Sequence, residues 1–510
     1  MSASNSSAPR QSNTASMSSF DQWRNRLGFL IAPVVVVLVW FWPLPGLSQE
    51  AHRLAAIASG VVILWFCESI PLAVTAMIGP ALCVIAGVSD VKAAFAPFAN
   101  PIIFLFIGSF LIAESLTLHG LGKRLAHFVL SLRIVRGSPT RIILALGILS
   151  ACLSMWISNT ATTAMLYPLA IATLAAWSPD REDHRSRNAL TYGLLMIAYS
   201  STIGGLATPV GTPPNLVGIE FIWQECGRRI SFANWMLLIG PLSLLCWLAL
   251  AILLRPSRSQ AADWSEGPEL ILGAKAQGRL SRGEVNTLIA FGTAVTLWVL
   301  PGVIALLAGG EGELARTLQP YAAWMKGHLP EGVVGLLAGC LLFALPTGDP
   351  KHPFTLNWED AARIDWGTIL LFGGGLSIGG MAFSTGLAEA LGHGIVSMTG
   401  VTSLVGLTGL CIFMASILSE TTSNTASANM AVPVAISIAK AAGVDPVLPA
   451  IAACLGASCG FMLPVSTPPN AIIYGSGKVR LMTMVRMGFI FDIVIGLLMW
   501  MYLILIWPHI

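Results

Sequence analysis

Two similar stretches decide the fold of this chain: ISNTATTAMLYP (157–168) and TSNTASANMAVP (422–433). Each places Ser-Asn-Thr in the middle of a long apolar segment, 141–176 in one case and 402–439 in the other. A straight helix of about 36 residues would be roughly 54 Å long, whereas the hydrocarbon core of a bilayer is about 30 Å thick. We therefore predict that each segment folds back at its Ser-Asn-Thr as a re-entrant hairpin. Irregular backbone is tolerated at membrane depth only where protein or water surrounds it, so the tips should face a cavity.

The composition around these stretches is that of a polytopic membrane protein. Of the 510 residues, 55% are hydrophobic and only 10% are charged, whereas soluble proteins carry about 25% charged residues. Mean hydropathy is +0.75. The predicted fold class is an all-α polytopic membrane protein with about 11 transmembrane helices besides the two hairpins. The predicted spans are 27–43, 54–70, 72–88, 100–118, 189–223, 233–254, 285–309, 332–347, 366–385, 444–475 and 483–507.

The two halves of the chain resemble each other. FIGSFLIAESLTLHGLGKRLA (106–126) aligns with FGGGLSIGGMAFSTGLAEALG (372–392), and Ser-Asn-Thr begins at 158 and again at 423. A third landmark, T-P-P-N, interrupts both the span 189–223 and the span 444–475. Three landmarks in the same order predict a two-fold repeat. If the hairpins enter from opposite faces, the repeat is inverted and its site lies at the midplane, an arrangement typical of transporters.

These landmarks divide the chain into four parts. They are a disordered cytoplasmic tail (1–26), a first inverted repeat (27–254), a cytoplasmic loop (255–284) and a second inverted repeat (285–510). With a cytoplasmic N-terminus, 21 of the 28 Lys and Arg residues lie inside and 7 outside, as the positive-inside rule predicts. The outer pair Arg228 and Arg229 is the local exception. The tail lacks the apolar core of a signal peptide, so we expect an integral protein of a bacterial inner membrane.

Neither enzymatic nor transition-metal chemistry is indicated. The nine cysteines lack C-x-x-C spacing, and the eight histidines form no H-x-x-x-H pair. GLSIG (375–379) and GASCG (456–460) match G-x-S-x-G, but both lie in apolar helical spans without a histidine, so the nucleophile and base of a hydrolase are missing. A channel is also disfavoured, because paired hairpins and interrupted spans suggest a closed midplane site. With a net charge of +3, we expect no nucleic-acid partner.

The polar motifs suit bound ions. Ser, Asn and Thr are favoured N-cap residues, so capped hairpin tips are the simplest interpretation. Capping needs only one polar residue, however, and three occur at both tips. A half-helix N-terminus also attracts anions, and two such tips suit an anion with two carboxylates. In T-P-P-N the prolines leave carbonyl oxygens free, which together with Ser, Thr and Asn oxygens suit a hard cation such as Na⁺. A simple proline kink is the alternative.

The order SNTAT, PVGTPPN, SNTAS, PVSTPPN, with ETTSNT (420–425), FIGSF (106–110) and FGGGL (372–376), resembles the divalent-anion:sodium symporter family. The resemblance extends over roughly residues 27–510 and implies a Na⁺-coupled dicarboxylate transporter. It also implies an elevator-type mechanism, a homodimer in the lipid bilayer, and at least two Na⁺ ions bound beside one di- or tricarboxylate anion.

Carried over by position, the resemblance implies a first Na⁺ site of Ser154, Ser158, Asn159 and the Gly211 carbonyl. The second Na⁺ site would consist of Ser419, Ser423, Asn424 and the Ser466 carbonyl. The residues implied for the anion are Asn159, Thr160, Thr212, Asn424, Thr425, Thr467 and Pro468.

The leading hypothesis is Na⁺-coupled symport of C4-dicarboxylates (succinate, malate, fumarate) or citrate-like anions by alternating access. A Na⁺-independent anion exchanger or a sulfate carrier of the same fold is the alternative. Glu420 stands beside the second tip, and its repeat counterpart is the apolar Met155. For Glu420 a hydrogen-bonding role, an effect on Na⁺ binding and a proton relay all stay open.

Overall fold

The computed structural model describes residues 19–135, 138–175, 184–255 and 278–506. Most of the predicted loop 255–284 and residues 1–18 of the predicted tail lie outside these ranges. The helices of the first half are α1 (Ser19–Phe41), α2 (Gln49–Cys67), α3 (Leu72–Ile85), α4 (Val91–Phe95), α5 (Pro101–Leu118), α6 (Leu121–Ser131), α7 (Pro139–Ser154), α8 (Asn159–Ala175), α9 (His184–Leu206), α10 (Pro213–Cys226) and α11 (Phe232–Leu253).

The helices of the second half are α12 (Arg282–Ala308), α13 (Glu313–His328), α14 (Glu331–Leu341), α15 (Trp358–Ala361), α16 (Trp366–Ser384), α17 (Leu387–Thr399), α18 (Leu404–Thr421), α19 (Asn424–Ala441), α20 (Val447–Gly456), α21 (Pro468–Gly475) and α22 (Leu481–Ile506). A short 3₁₀ turn (Ala96–Ala99) precedes α5. Strands β1 (Pro346–Asp349) and β2 (His352–Phe354) pair antiparallel.

The all-α polytopic fold is confirmed. Nine helices in the described residues are long and apolar enough to cross a membrane. Two of the predicted spans form shorter helices than expected. The span 72–88 contains the helix Leu72–Ile85, and the span 332–347 corresponds to the helix Glu331–Leu341. The second of these helices packs closely on α5: a Cβ on Gly108 of α5 would lie 2.1 Å from the Gly335 backbone, so α5 and α14 meet backbone to backbone.

The structure shortens the predicted tail. Helix α1 begins at Ser19, so residues 19–26 are helical. An ion pair of 2.7 Å between Arg24 and Glu68 fixes this first part of α1 to the end of α2. Glu68 itself has a positive φ of 49° and ends α2.

Both predicted hairpins appear as two helices joined by a tight turn, α7 with α8 and α18 with α19. Both predicted broken spans are interrupted before T-P-P-N, between α9 and α10 and between α20 and α21. The first arm of each hairpin packs on the first part of the broken span of its own half. Glycines make this approach close, since a Cβ on Gly204 would lie 2.1 Å from the Ala151 carbonyl oxygen, and one on Gly456 would lie 2.4 Å from that of Ile412.

The second parts of the broken spans cross between the halves. Helix α10 packs on α19, the second arm of the other half's hairpin, and α21 packs on α8. A buried contact of 3.1 Å from the Cys454 thiol to the Pro214 carbonyl joins the two broken spans directly. The halves therefore form one packed unit around both pairs of motifs.

Helix α13 and the β1–β2 hairpin were not predicted. The sequence of α13 is too polar for a membrane span, and its apolar residues form no continuous run, so we did not predict a helix there. Leu314, Tyr321 and Trp324 are exposed on it.

Candidate functional site

The first hairpin turns directly at its Ser-Asn-Thr. Helix α7 ends at Ser154 and α8 begins at Asn159. Ser154 Oγ donates to Asn159 Oδ1 across the turn at 2.6 Å. Ser158 Oγ accepts from the backbone N–H of Ala161 at 3.2 Å, which is the N-cap interaction that its residue type favours.

The second hairpin repeats this geometry. Ser419 Oγ lies 2.8 Å from Asn424 Oδ1. Ser423 Oγ accepts from the N–H of Ala426 at 3.2 Å. In both tips the serine at the end of the first arm therefore orients the amide oxygen of the asparagine that begins the second arm.

The loop between α9 and α10 brings the Gly211 carbonyl close to Asn159 of the first hairpin. A Cβ built on Gly205 would lie 2.6 Å from Asn159 Oδ1 and 3.0 Å from the Gly211 carbonyl oxygen. Asn159 Oδ1 and the Gly211 carbonyl oxygen, two predicted ligands, therefore converge on the space above Gly205. Any residue other than glycine would place its Cβ in this space. We call this space the first cradle.

The loop between α20 and α21 forms the equivalent second cradle above Gly460. A Cβ there would lie 3.1 Å from the Ser419 carbonyl oxygen, 3.3 Å from Ser419 Oγ and 3.2 Å from the Ser466 Cβ. Predicted ligand residues from both the hairpin and the loop again meet at a glycine. The second cradle is slightly more open than the first.

The chemistry of both cradles fits a small hard cation. The first cradle presents an amide and a carbonyl oxygen, and the second presents a carbonyl and a hydroxyl oxygen; all are donor types that hard cations prefer. The first cradle lies where α7 and α9 end, and the second lies near the ends of α18 and α20. Helix C-termini carry partial negative charge, which also favours a cation. In the part of the chain that the structure describes, no group of three His, Cys, Asp or Glu side chains could hold a transition metal.

The residues implied for the anion lie at helix N-termini. Asn159, Thr160, Asn424 and Thr425 occupy the first two positions of α8 and α19. Thr212 and Thr467 are the N-cap residues of α10 and α21, and Pro468 is the first residue of α21. Ser158, Thr160 and Pro468 are exposed, Asn159, Ser423 and Asn424 are half-buried, and Thr212, Thr425, Ser466 and Thr467 are buried. Within residues 138–175, 184–255 and 278–506, no hydrogen bond joins the anion residues of one half to those of the other.

Each hairpin tip is also tied to the neighbouring loop. The Thr208 hydroxyl donates to the Met155 carbonyl in the first half. In the second half the Glu420 carboxylate accepts from the N–H groups of Met462 (2.8 Å) and Leu463 (3.1 Å). Because Glu420 matches Met155 and Leu463 matches Thr208 in the repeat, equivalent positions make this tie with different chemistry. Sequence analysis missed Thr208, and for Glu420 the structure shows the hydrogen-bonding role.

A cavity of about 880 Å³ opens beside the first hairpin. Cys152 and Trp156 of the hairpin line it together with Phe128 of α6 and Phe291 of α12, and the lining is mainly apolar. The Trp156 ring packs edge-on against Phe291, 5.3 Å between centroids. This cavity reaches the first hairpin near its tip but does not itself present the polar groups of an ion site.

Comparisons with known proteins identify the family and a similar fold. The profile of the sodium:sulfate symporter transmembrane region matches residues 24–510. The chain is 32% identical over 484 residues to an uncharacterized transporter of Haemophilus influenzae, covering 94% of this chain and 96% of the relative. It is 30% identical over 478 residues to the sodium-dependent dicarboxylate transporter SdcS of Staphylococcus saprophyticus, covering 91% and 88%.

The fold is similar to the crystal structure of the Alcanivorax borkumensis YdaH transporter. The TM-score is 0.56, with 96% of this chain and 98% of that chain covered. At 13% sequence identity this likeness concerns the fold alone.

Proposed function

The chain belongs to the sodium:sulfate symporter family, and on this premise we propose that it moves a C4-dicarboxylate or a citrate-like anion across the membrane together with Na⁺. It is an integral membrane transporter and not an enzyme. The observation that carries the proposal is the pair of matched oxygen cradles, each placed beside helix ends of both polarities.

The cations are proposed to occupy the two cradles. Ser154, Ser158, Asn159 and the Gly211 carbonyl would hold one Na⁺, and Ser419, Ser423, Asn424 and the Ser466 carbonyl would hold the other. Support comes from the convergence of Asn159 Oδ1 and the Gly211 oxygen above Gly205. As cargo, the ions must be released, so neutral oxygen ligands are better suited than carboxylates, which would bind a cation more tightly.

The anion is proposed to lie between the two tips. Asn159, Thr160, Asn424 and Thr425 supply neutral donors, with Thr212, Thr467 and Pro468 alongside. Four helices begin at these residues, and helix N-termini attract anions through free N–H groups and their partial positive charge. Two Na⁺ ions next to a dianion would leave the loaded site nearly neutral, which lowers the penalty for moving it through the membrane.

We further propose an elevator mechanism, in which the hairpins and broken spans move against the remaining helices. The contact between α16 and α19 supports it. A Cβ on Gly375 of α16 would lie 2.1 Å from Asn429 Cγ of α19, so glycine lets α16, which is not part of the hairpin, pack directly against its second arm. The proposal includes inverted repeats, re-entrant hairpins, a cytoplasmic N-terminus, a bacterial inner membrane and a homodimer, the last testable by light scattering of the purified protein.

The test is uptake of labelled succinate into proteoliposomes, with and without an inward Na⁺ gradient. We expect uptake to require Na⁺ and to saturate with succinate. Asn159→Ala and Asn424→Ala should each abolish it, because each removes an amide that serves both a cation and the anion. Asn234→Ala, an exposed asparagine of α11, is the matched control and should transport normally.

The same assay separates the alternatives. Uptake that ignores Na⁺ but needs succinate inside the vesicles would identify an exchanger and refute symport. Because the family takes its name from sulfate, competition by sulfate is the second measurement. Inhibition by sulfate, with no inhibition by malate or fumarate, would refute the dicarboxylate assignment.

A further inference from the structure

The asparagine that ends each T-P-P-N sequence is buried in the first turn of the helix that follows the break. Asn215 is 0% exposed and Asn470 is 1% exposed. Their side-chain amide nitrogens point back into the preceding loop rather than out to an ion. Asn215 Nδ2 donates to the carbonyls of Gly205 at 2.9 Å, Thr208 at 2.8 Å and Leu206 at 3.3 Å.

Asn470 makes the same contacts in the second half. Its Nδ2 donates to the carbonyls of Gly460 at 3.0 Å and Leu463 at 3.1 Å, and it lies 3.2 Å from Ser466 Oγ. In the repeat, Gly460 matches Gly205 and Leu463 matches Thr208. The side chains of the latter pair differ, yet the same two backbone carbonyls are bound in both halves. The interaction is therefore a property of the loop geometry and not of local composition.

Both loops need such a donor. In a continuous helix the carbonyls of Gly205 and Gly460 would accept from the N–H groups four residues later, but positions 209 and 464 are prolines, which have no N–H. Buried carbonyls without donors are costly, and a side-chain amide carries hydrogens that can replace the missing N–H. The asparagine thus supplies the donor that Pro209 or Pro464 lacks.

The carbonyls held by these amides belong to the cradle glycines. A Cβ on Gly211 would lie 2.5 Å from the Gly205 carbonyl oxygen, so the position of Gly205 limits where Gly211 can lie. In the second half, Ser466 Oγ donates to the Gly460 carbonyl at 2.9 Å, the same carbonyl that Asn470 binds. Fixing the glycine carbonyl therefore fixes the ligand residue of each cradle.

We propose that Asn215 and Asn470 are positioning residues for the two Na⁺ sites. Each amide nitrogen holds its loop so that the Gly211 or Ser466 carbonyl faces the ion, and neither asparagine is itself a ligand. This inference rests on the proposed function, because it assigns a role in Na⁺ binding at the cradles of that proposal.

The experiment is a Na⁺ titration of succinate uptake by Asn215→Ala and Asn470→Ala in proteoliposomes. Groups that orient metal ligands typically contribute 10- to 100-fold to metal affinity. We expect the half-saturating Na⁺ concentration to rise about 10- to 100-fold, with the rate and the succinate KM at saturating Na⁺ close to those of the wild type. The matched control is Asn286→Ala, since Asn286 Nδ2 also donates to a backbone carbonyl, that of Pro346 in β1 at 3.0 Å, and neither residue belongs to a cradle. It should leave the Na⁺ dependence unchanged.

A purely structural role would lower the amount of folded protein or the maximal rate at every Na⁺ concentration, with the half-saturating concentration unchanged; that result overturns the inference. If the alanine variants do not fold, Asn215→Ser and Asn470→Ser, which keep one small donor, are judged by the same criterion, using the Na⁺-dependent rise in Tm of the purified protein. Wild-type uptake that ignores Na⁺ would refute the proposed function, and this inference with it. Na⁺-dependent wild-type uptake with unchanged variants refutes the inference alone.

Discussion

Replacement of Gly205 by alanine tests the geometry of the first cradle directly. The new methyl carbon would lie 2.6 Å from Asn159 Oδ1 and 3.0 Å from the Gly211 carbonyl oxygen. Hard cations of this size approach their oxygen ligands to about 2.3–2.6 Å. The methyl group would therefore occupy the space that the cation needs, and it would also push apart the two oxygens that converge there.

The size of the effect follows from these contacts. Overpacking a rigid site costs about 1–3 kcal/mol, which corresponds to about 5- to 150-fold in affinity. The Gly211 oxygen is backbone, and Asn159 is held by Ser154, so neither can yield easily. In the second cradle the nearest atoms to a Cβ on Gly460 are 3.1–3.3 Å away. We therefore expect Gly205→Ala to raise the half-saturating Na⁺ concentration strongly and Gly460→Ala to raise it less.

The assay is Na⁺-dependent succinate uptake in proteoliposomes at several Na⁺ concentrations. The matched controls are Gly240→Ala on α11 and Gly292→Ala on α12, where nothing lies within 4 Å of the new Cβ. Both should behave as the wild type, and equal elution from a sizing column should show that all four variants are folded. A wild-type Na⁺ dependence in Gly205→Ala, or an effect of Gly460→Ala that exceeds it, would refute the cradle geometry.

Three further predictions concern the surroundings of the cradles. Thr208→Val keeps the side-chain shape but removes the hydroxyl that donates to the Met155 carbonyl. We expect the free energy of Na⁺ binding to weaken by about 1 kcal/mol, which is a roughly fivefold rise in the half-saturating Na⁺ concentration. An unchanged concentration would argue against this tie. Glu420→Ala leaves the partly buried N–H groups of Met462 and Leu463 without their acceptor. We expect a larger rise in half-saturating Na⁺ than for Thr208→Val in the same titration, and a smaller rise would contradict this. Cys152 is exposed and lines the cavity beside the first hairpin, whereas Cys454 is buried. Mass spectrometry after maleimide treatment of the folded protein should therefore find the label on Cys152 and none on Cys454, and the reverse would contradict the packing.

Local features of the chain were enough to predict much of the fold. The Ser-Asn-Thr sequences lie inside apolar segments too long for one span, and both become turns because the serine caps the helix that follows. The breaks before T-P-P-N were predictable because proline lacks the N–H that a continuous helix requires. The span 332–347 was placed correctly, but its helix ends at Leu341; the close approach of Gly108 to Gly335 was not predictable, because it depends on a partner distant in the chain.

For the site as well, some features were predictable from sequence and others depended on how the helices pack. The all-α membrane fold, the two helical hairpins and the two broken spans were predictable from sequence, since each follows from rules that act within one segment. The residues assigned to the ions came from the family resemblance and stay a prediction. The convergence of Asn159 and Gly211 above Gly205 became visible only in the tertiary structure. The same is true of the ties between tips and loops, which Thr208 makes in the first half and Glu420 makes in the second. The tertiary structure also decided that the T-P-P-N asparagines donate to their own loops. These contacts join segments up to about 50 residues apart, and their geometry is set by how the helices pack, which no pattern within a single segment contains.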